Sequence, residues 1–102
     1  MIVDLHTHIF PPEVIARRED YGRRDATFAA LYGDPKAKLT TAEDLLASMD
    51  LAGIDVSVAL GFAWGDAEDC RRHNDYTLES AARSGQRIVP FCVVQPGEGE
   101  AA

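Results

Sequence analysis

The pattern of apolar and polar positions predicts three strands separated by helices. Residues 2–7 read as the first strand, with Val3, Leu5 and Thr7 on one side and Asp4, His6 and His8 on the other, as the two-residue period of extended chain dictates. Phe10-Pro11-Pro12 ends that strand because proline cannot donate to a ladder. Pro12 and Glu13 suit the first turn of a helix over 12–20. Ala26, Phe28, Ala29, Ala30, Leu31 and Tyr32 predict another short helix, stopped by Gly33-Asp34-Pro35.

Thr40-Thr41-Ala42-Glu43 has the form of a capping box, with Thr40 as N-cap and Glu43 reaching back. Ala42, Leu45, Leu46 and Met49 follow at helical spacing, and Gly53 closes the helix. Residues 54–60 alternate and are β-branched, which predicts the second strand. Asp66 caps a further helix whose apolar positions are Ala67, Cys70, Leu78, Ala81 and Ala82, with Glu68 and Asp69 complementing its dipole. Residues 87–94 form the third strand, and Pro90 inside it requires an edge position or a bulge. Residues 95–102 read as a βα loop and the start of another helix. Strand, helices, strand, helix, strand is the order of an α/β protein with parallel strands. Three such strands leave two open edges. The expectation is therefore the N-terminal part of a larger α/β protein, or a small module that covers its edges by forming a homo-oligomer.

Composition narrows the partners. The 102 residues carry a net charge of −7, which speaks against nucleic acid or an anionic membrane surface as partner. The arginine pairs 17–18, 23–24 and 71–72 are interleaved with acids and read as solvated helix faces. Arg17, Arg18, Arg23 and Arg24 lie in the excursion after the first strand, where one of them meeting a substrate carboxylate is the alternative. No apolar run approaches the ~20 residues of a membrane span, and an acid and two histidines interrupt the N-terminal run, unlike a signal peptide. Cys70 and Cys92 match no zinc spacing and read as reduced residues of a cytoplasmic protein, Cys92 packed in a strand.

The chemistry centres on His6 and His8. Two imidazoles on one strand face, at the C-terminal end of a parallel strand and braced by a stiff Phe-Pro-Pro turn, suit a divalent metal, zinc first among them. Asp4 reads as a buried hydrogen-bonding residue below the site. Phe10, Phe62 and Trp64 follow strands at that same end, where they either line a pocket for a planar substrate or pack the loops. His73 sits between Arg72 and Asn74 in mid-helix and reads as a surface residue.

The stretch 2–13, Ile-Val-Asp-Leu-His-Thr-His-Ile-Phe-Pro-Pro-Glu, resembles the opening of the amidohydrolase superfamily. It is most similar to the amidohydrolase-related branch that includes aminocarboxymuconate-semialdehyde decarboxylase. The likeness continues through Ala-Gly-Ile-Asp-Val-Ser-Val at 52–58, His73-Asn74-Asp75-Tyr76 and Gln-Arg-Ile-Val-Pro-Phe at 86–91. The resemblance implies that residues 1–102 are the first three βα units of a single (β/α)8 TIM-barrel domain, which needs ~250 residues in all. It implies a metal-dependent hydrolase or decarboxylase acting on a small carbonyl or carboxylate substrate. His6 and His8 would be metal ligands; Phe10 and Trp64, by their loop position rather than by the resemblance, are the candidate substrate-binding residues. The family's later histidines and its aspartate have no counterpart in this sequence, so the ligand set is incomplete and no catalytic residue falls within the chain. Two other readings stand beside this one. Phosphoesterases of the polymerase-and-histidinol-phosphatase type also open with Asp-x-His-x-His but lack the Phe-Pro-Pro turn, as do TatD-type nucleases. A non-catalytic α/β module that self-associates is the third.

Overall fold

The computed structural model describes residues 1–94; the loop and helix start expected over 95–102 lie outside the described residues. Eight elements occur in the order β1 (Val3–His8), α1 (Pro12–Ala16), α2 (Arg18–Arg24), α3 (Ala26–Tyr32), α4 (Ala42–Ala52), β2 (Val56–Leu60), α5 (Ala67–Arg83) and β3 (Ile88–Phe91). The three strands make one sheet in the order β1-β2-β3, with both pairings parallel. The α/β class and the parallel sheet are as the sequence predicts. No helix among the described residues is long and apolar enough to cross a membrane.

Several boundaries differ for identifiable reasons. The helix expected over 12–20 breaks at Arg17, whose ψ of 32° leaves helical geometry, so α1 and α2 are separate. The capping box lies one residue later than expected. Thr41 is the N-cap: its hydroxyl accepts from the Asp44 amide at 3.1 Å, and the Asp44 carboxylate accepts from the Thr41 amide at 3.2 Å. Thr40 is used differently, its carbonyl accepting from the Phe10 amide at 2.8 Å and tying α4 to the end of β1. Gly53 ends α4 in the left-handed region at φ 73°, as glycine permits. β3 is shorter than expected, and Pro90 fits because β3 pairs only with β2 among the described residues. Cys92 lies beyond β3 and is exposed rather than packed.

The core has two parts. Ile9, Ala42, Leu45, Met49, Ala59 and Ile88 join α4 to one face of the sheet. A second, aromatic cluster of Phe10, Tyr21, Phe28, Phe62 and Trp64, with Val14, Leu39 and Cys70, fills the space beyond the strand ends. Asp25 links these parts of the aromatic layer. Its carboxylate accepts from the Phe28 amide, capping α3, and from the Gly65 amide in the loop after β2.

The other face of the sheet is only partly covered: Val58 is buried there, while Val89 and Phe91 are exposed. Register pairs His8 with Leu60 and Leu60 with Phe91, and Val58 with Val89, so these residues share that face. Phe91 is 53 % exposed, and Leu5 on β1 is 75 % exposed. β1 is therefore an exposed edge strand in the described sheet. A bulge also interrupts its alternation, since three steps from Asp4 to Thr7 match two from Ser57 to Ala59.

The position of the cap gives a direct test. Thr41→Ala should lower stability to urea by about 1 kcal/mol, whereas Thr40→Ala should change it much less because its carbonyl remains. Equal losses in the two variants would contradict the observed register.

Candidate metal centre

His6 and His8 converge at the C-terminal end of β1. Their Nε2 atoms stand 3.0 Å apart and their ring centroids 4.9 Å apart. The Nδ1 of His8 lies 3.1 Å from the Gly61 carbonyl oxygen. A carbonyl only accepts, so His8 donates from Nδ1 and its Nε2 carries the lone pair. Metal-binding histidines are commonly oriented in this way, with the non-ligating N–H on a backbone carbonyl. With no cation between the rings, His6 donates from Nε2 to His8 Nε2. Holding a cation there would require the His6 proton on Nδ1, so that His6 and His8 could both offer Nε2 lone pairs. In a tetrahedral zinc site the ligand nitrogens are roughly 3.3 Å apart, so the pair needs only a small opening.

The residues present offer two imidazole nitrogens to a divalent ion, fewer than the usual ligand count. Among the described residues no group of three or more His, Cys, Asp or Glu side chains is placed to hold a metal. Asp4 is half-buried rather than buried, and its Oδ1 accepts from the His6 amide at 3.1 Å. It braces the bulged backbone under the pair.

The aromatic residues at this end pack the loops. Phe10 and Trp64 are each 1 % exposed and Phe62 is also buried, so none presents a ring face to a ligand. Phe10 sits edge-on to Phe28 and Tyr32, while Trp64 packs against Tyr21, Phe28 and Phe62. Three of the four candidate arginines are occupied elsewhere. Arg18 donates to the carbonyls of Asp34, Pro35 and Ala37, and Arg23 pairs with Asp20. Arg24 lies over the Tyr21 ring and 3.3 Å from the buried Asp69. Burial pushes the Asp69 carboxyl up and Arg24 opposes it.

His73 is the residue that the sequence misplaces. It is 2 % exposed, not a surface residue. Its Nδ1 accepts from Trp64 Nε1 at 3.0 Å, and its Nε2 lies 2.6 Å from the Ile9 carbonyl. The indole N–H can only donate, so His73 must be neutral with its proton on Nε2, donated to Ile9. The ring also fills the space a side chain at position 61 would need. A Cβ on Gly61 would lie 2.8 Å from His73 Cδ2. One imidazole therefore joins the residue after His8 to the loop after β2. The signal for this was present in the spacing of Cys70, His73, Thr77 and Ser80, all buried on one face of α5. That face is small and polar, so a search for apolar positions passes over it. Leu78 and Ala82, expected on the buried side, are exposed.

Asn74 and Tyr76 bond as a helix-packing role requires. Asn74 exchanges two hydrogen bonds with the Val93 backbone, at 2.7 and 2.9 Å. The Tyr76 hydroxyl accepts from the Ala42 amide at the start of α4.

Comparison with known proteins adds no relative: no protein-family model matches the chain, and no curated protein matches it.

Burial lowers the His73 pKa, and His8 adds to that effect, while the Ile9 carbonyl opposes both. The folded value lies below the unfolded one, so the unfolded chain protonates first as pH falls. Stability owed to His73 is full above the unfolded value of about 6.5 and is lost as pH drops through the folded value. The urea midpoint should therefore fall between about pH 7.5 and pH 5.5. His73→Gln should show a smaller fall, and an identical pH dependence in the two proteins would contradict this assignment. His73→Phe removes two buried hydrogen bonds, one from Trp64 Nε1 and one to the Ile9 carbonyl, which should cost about 2–4 kcal/mol.

Proposed function

We propose that the chain is the N-terminal part of an amidohydrolase-type, metal-dependent hydrolase or decarboxylase with a (β/α)8 barrel. The substrate class is a small carbonyl or carboxylate compound. His6 and His8 supply part of the metal site. The observation that carries this reading is the convergence of two Nε2 atoms at 3.0 Å with His8 Nδ1 held on the Gly61 carbonyl. Their location supports it, because parallel α/β folds bind ligands beyond the carboxyl ends of their strands. The partly exposed apolar sheet face and the open β1 and β3 edges of the described sheet also fit strands that close into a barrel.

Zinc or a similar divalent ion, when bound, polarises a carbonyl or carboxylate oxygen and lowers the pKa of a bound water toward ~7. The roles of this chain's own residues are narrower. His6 and His8 offer lone pairs, Gly61 orients His8, and Asp4 braces the His6 backbone. The acid/base group that the resemblance implies is an aspartate of a late strand, and the part proposed for this chain is to hold the metal through His6 and His8.

A second reading has its own observation. Exposed Leu5, Val89, Phe91 and Val94 lie on or near open strand edges, which suits a module that covers them with another copy. A discrete oligomer in sedimentation, with a cooperative melt, favours that alternative.

Metal titration tests the main reading. The 102-residue chain should bind zinc weakly, and His6→Ala and His8→Ala should each weaken binding more than about tenfold, the minimum loss typical of outer partners alone. Zinc binding that survives both substitutions unchanged would refute the ligand assignment. Further βα units encoded downstream of Ala102, with histidines at strand ends and a late aspartate, are the matching expectation for the complete protein.

A further inference from the structure

The two histidines do not hold their own geometry. His6 is exposed on a bulged edge strand, and the fixed point of the pair is His8 Nδ1 on Gly61. Gly61 is buried, and its Cα side is closed by the His73 ring, whose Cδ2, Cγ and Nε2 would all lie within 3.1 Å of a Cβ there. The same ring holds the Ile9 carbonyl at 2.6 Å. The Ile9 amide in turn donates to the Leu60 carbonyl at 3.1 Å. The peptides that follow β1 and β2 are therefore interlocked on both sides of His8, with His73 as the side chain common to them. Trp64 fixes which nitrogen of that side chain is the donor.

We infer that His73 is a positioning residue for the His6–His8 pair: it seats Gly61 and Ile9 so that His8 keeps its proton on Nδ1 and aims Nε2 at His6. His73 does not touch the space between the two Nε2 atoms and is not a ligand. The metal consequence rests on the reading of the pair as a metal site; the tautomer consequence does not.

A residue that only stabilised the fold would change the melting temperature and leave the His8 proton where it is. Long-range ¹H–¹⁵N spectra of the imidazoles, recorded on the metal-free chain at neutral to mildly alkaline pH, separate these cases. Wild-type His8 should be in the Nδ1–H form. His73→Phe, which keeps a ring in the cluster, should move His8 toward a mixture of tautomers. His73→Gln, which restores a donor for the Ile9 carbonyl, should recover part of the wild-type form. If His73→Phe does not fold, Trp64→Phe and Gly61→Ala carry the test. The first removes the donor to His73 while keeping an aromatic ring in the cluster, and the second pushes the His73 ring from its seat. Each should shift the His8 tautomer. Titrated with zinc alone, folded variants should bind about tenfold more weakly, in step with that shift. A folded variant whose His8 remains wholly Nδ1–H, with zinc binding unchanged, overturns the proposal. Absence of zinc binding by the wild-type chain would instead count against the metal reading, and the tautomer result would still decide the role of His73.

Discussion

The bond pair made by one buried imidazole determines much of this structure. His73 accepts from an indole that can only donate and therefore donates to a carbonyl that can only accept. Neither partner has access to water, so neither bond can be exchanged cheaply for solvent. The consequence is positional. The chain just past β1 and the loop just past β2 meet on a single side chain from α5, and the aromatic cluster packs around that junction. The orientation of His8, and through it the direction of His6, follows from where that junction places the Gly61 carbonyl.

The two faces of the sheet are in different physical conditions. One is closed by α4 over Ala59 and Ile88. The other carries His8, Leu60, Val58, Val89 and Phe91, of which Val58 is buried and Val89 and Phe91 are exposed. Parallel sheets are ordinarily covered on both faces, and apolar side chains left in water forgo the burial that stabilises such strands. The proposed barrel gives this face an interior to belong to, and places the histidine pair at one end of it.

Much of the framework was legible in the sequence. Strand alternation, the Asp66 cap, the Gly53 stop and the helical spacing of Ala42, Leu45 and Met49 all act within a few residues, so local rules are enough to find them. The capping box was ambiguous because Thr40–Glu43 and Thr41–Asp44 both satisfy the same spacing. A long-range bond from Phe10 uses the Thr40 carbonyl, and the helix begins after Thr41. The bulge in β1 and the burial of His73 are tertiary. Two arginines before His73 signal a solvated face, and only the small polar stripe from Cys70 to Ser80 points the other way. The histidine pair was legible as a pair; the carbonyl that orients it was not, because Gly61 contributes backbone alone.

The central claim is that His6 and His8 form one half of a metal site, with lone pairs directed at a common point. Anomalous diffraction at the zinc edge, from crystals of the chain grown with zinc, addresses it most directly. The account predicts a peak about 2.0–2.1 Å from both Nε2 atoms, with His8 Nδ1 still on the Gly61 carbonyl. Zinc found only at other residues, or His6 and His8 turned apart with no metal between them, would contradict it.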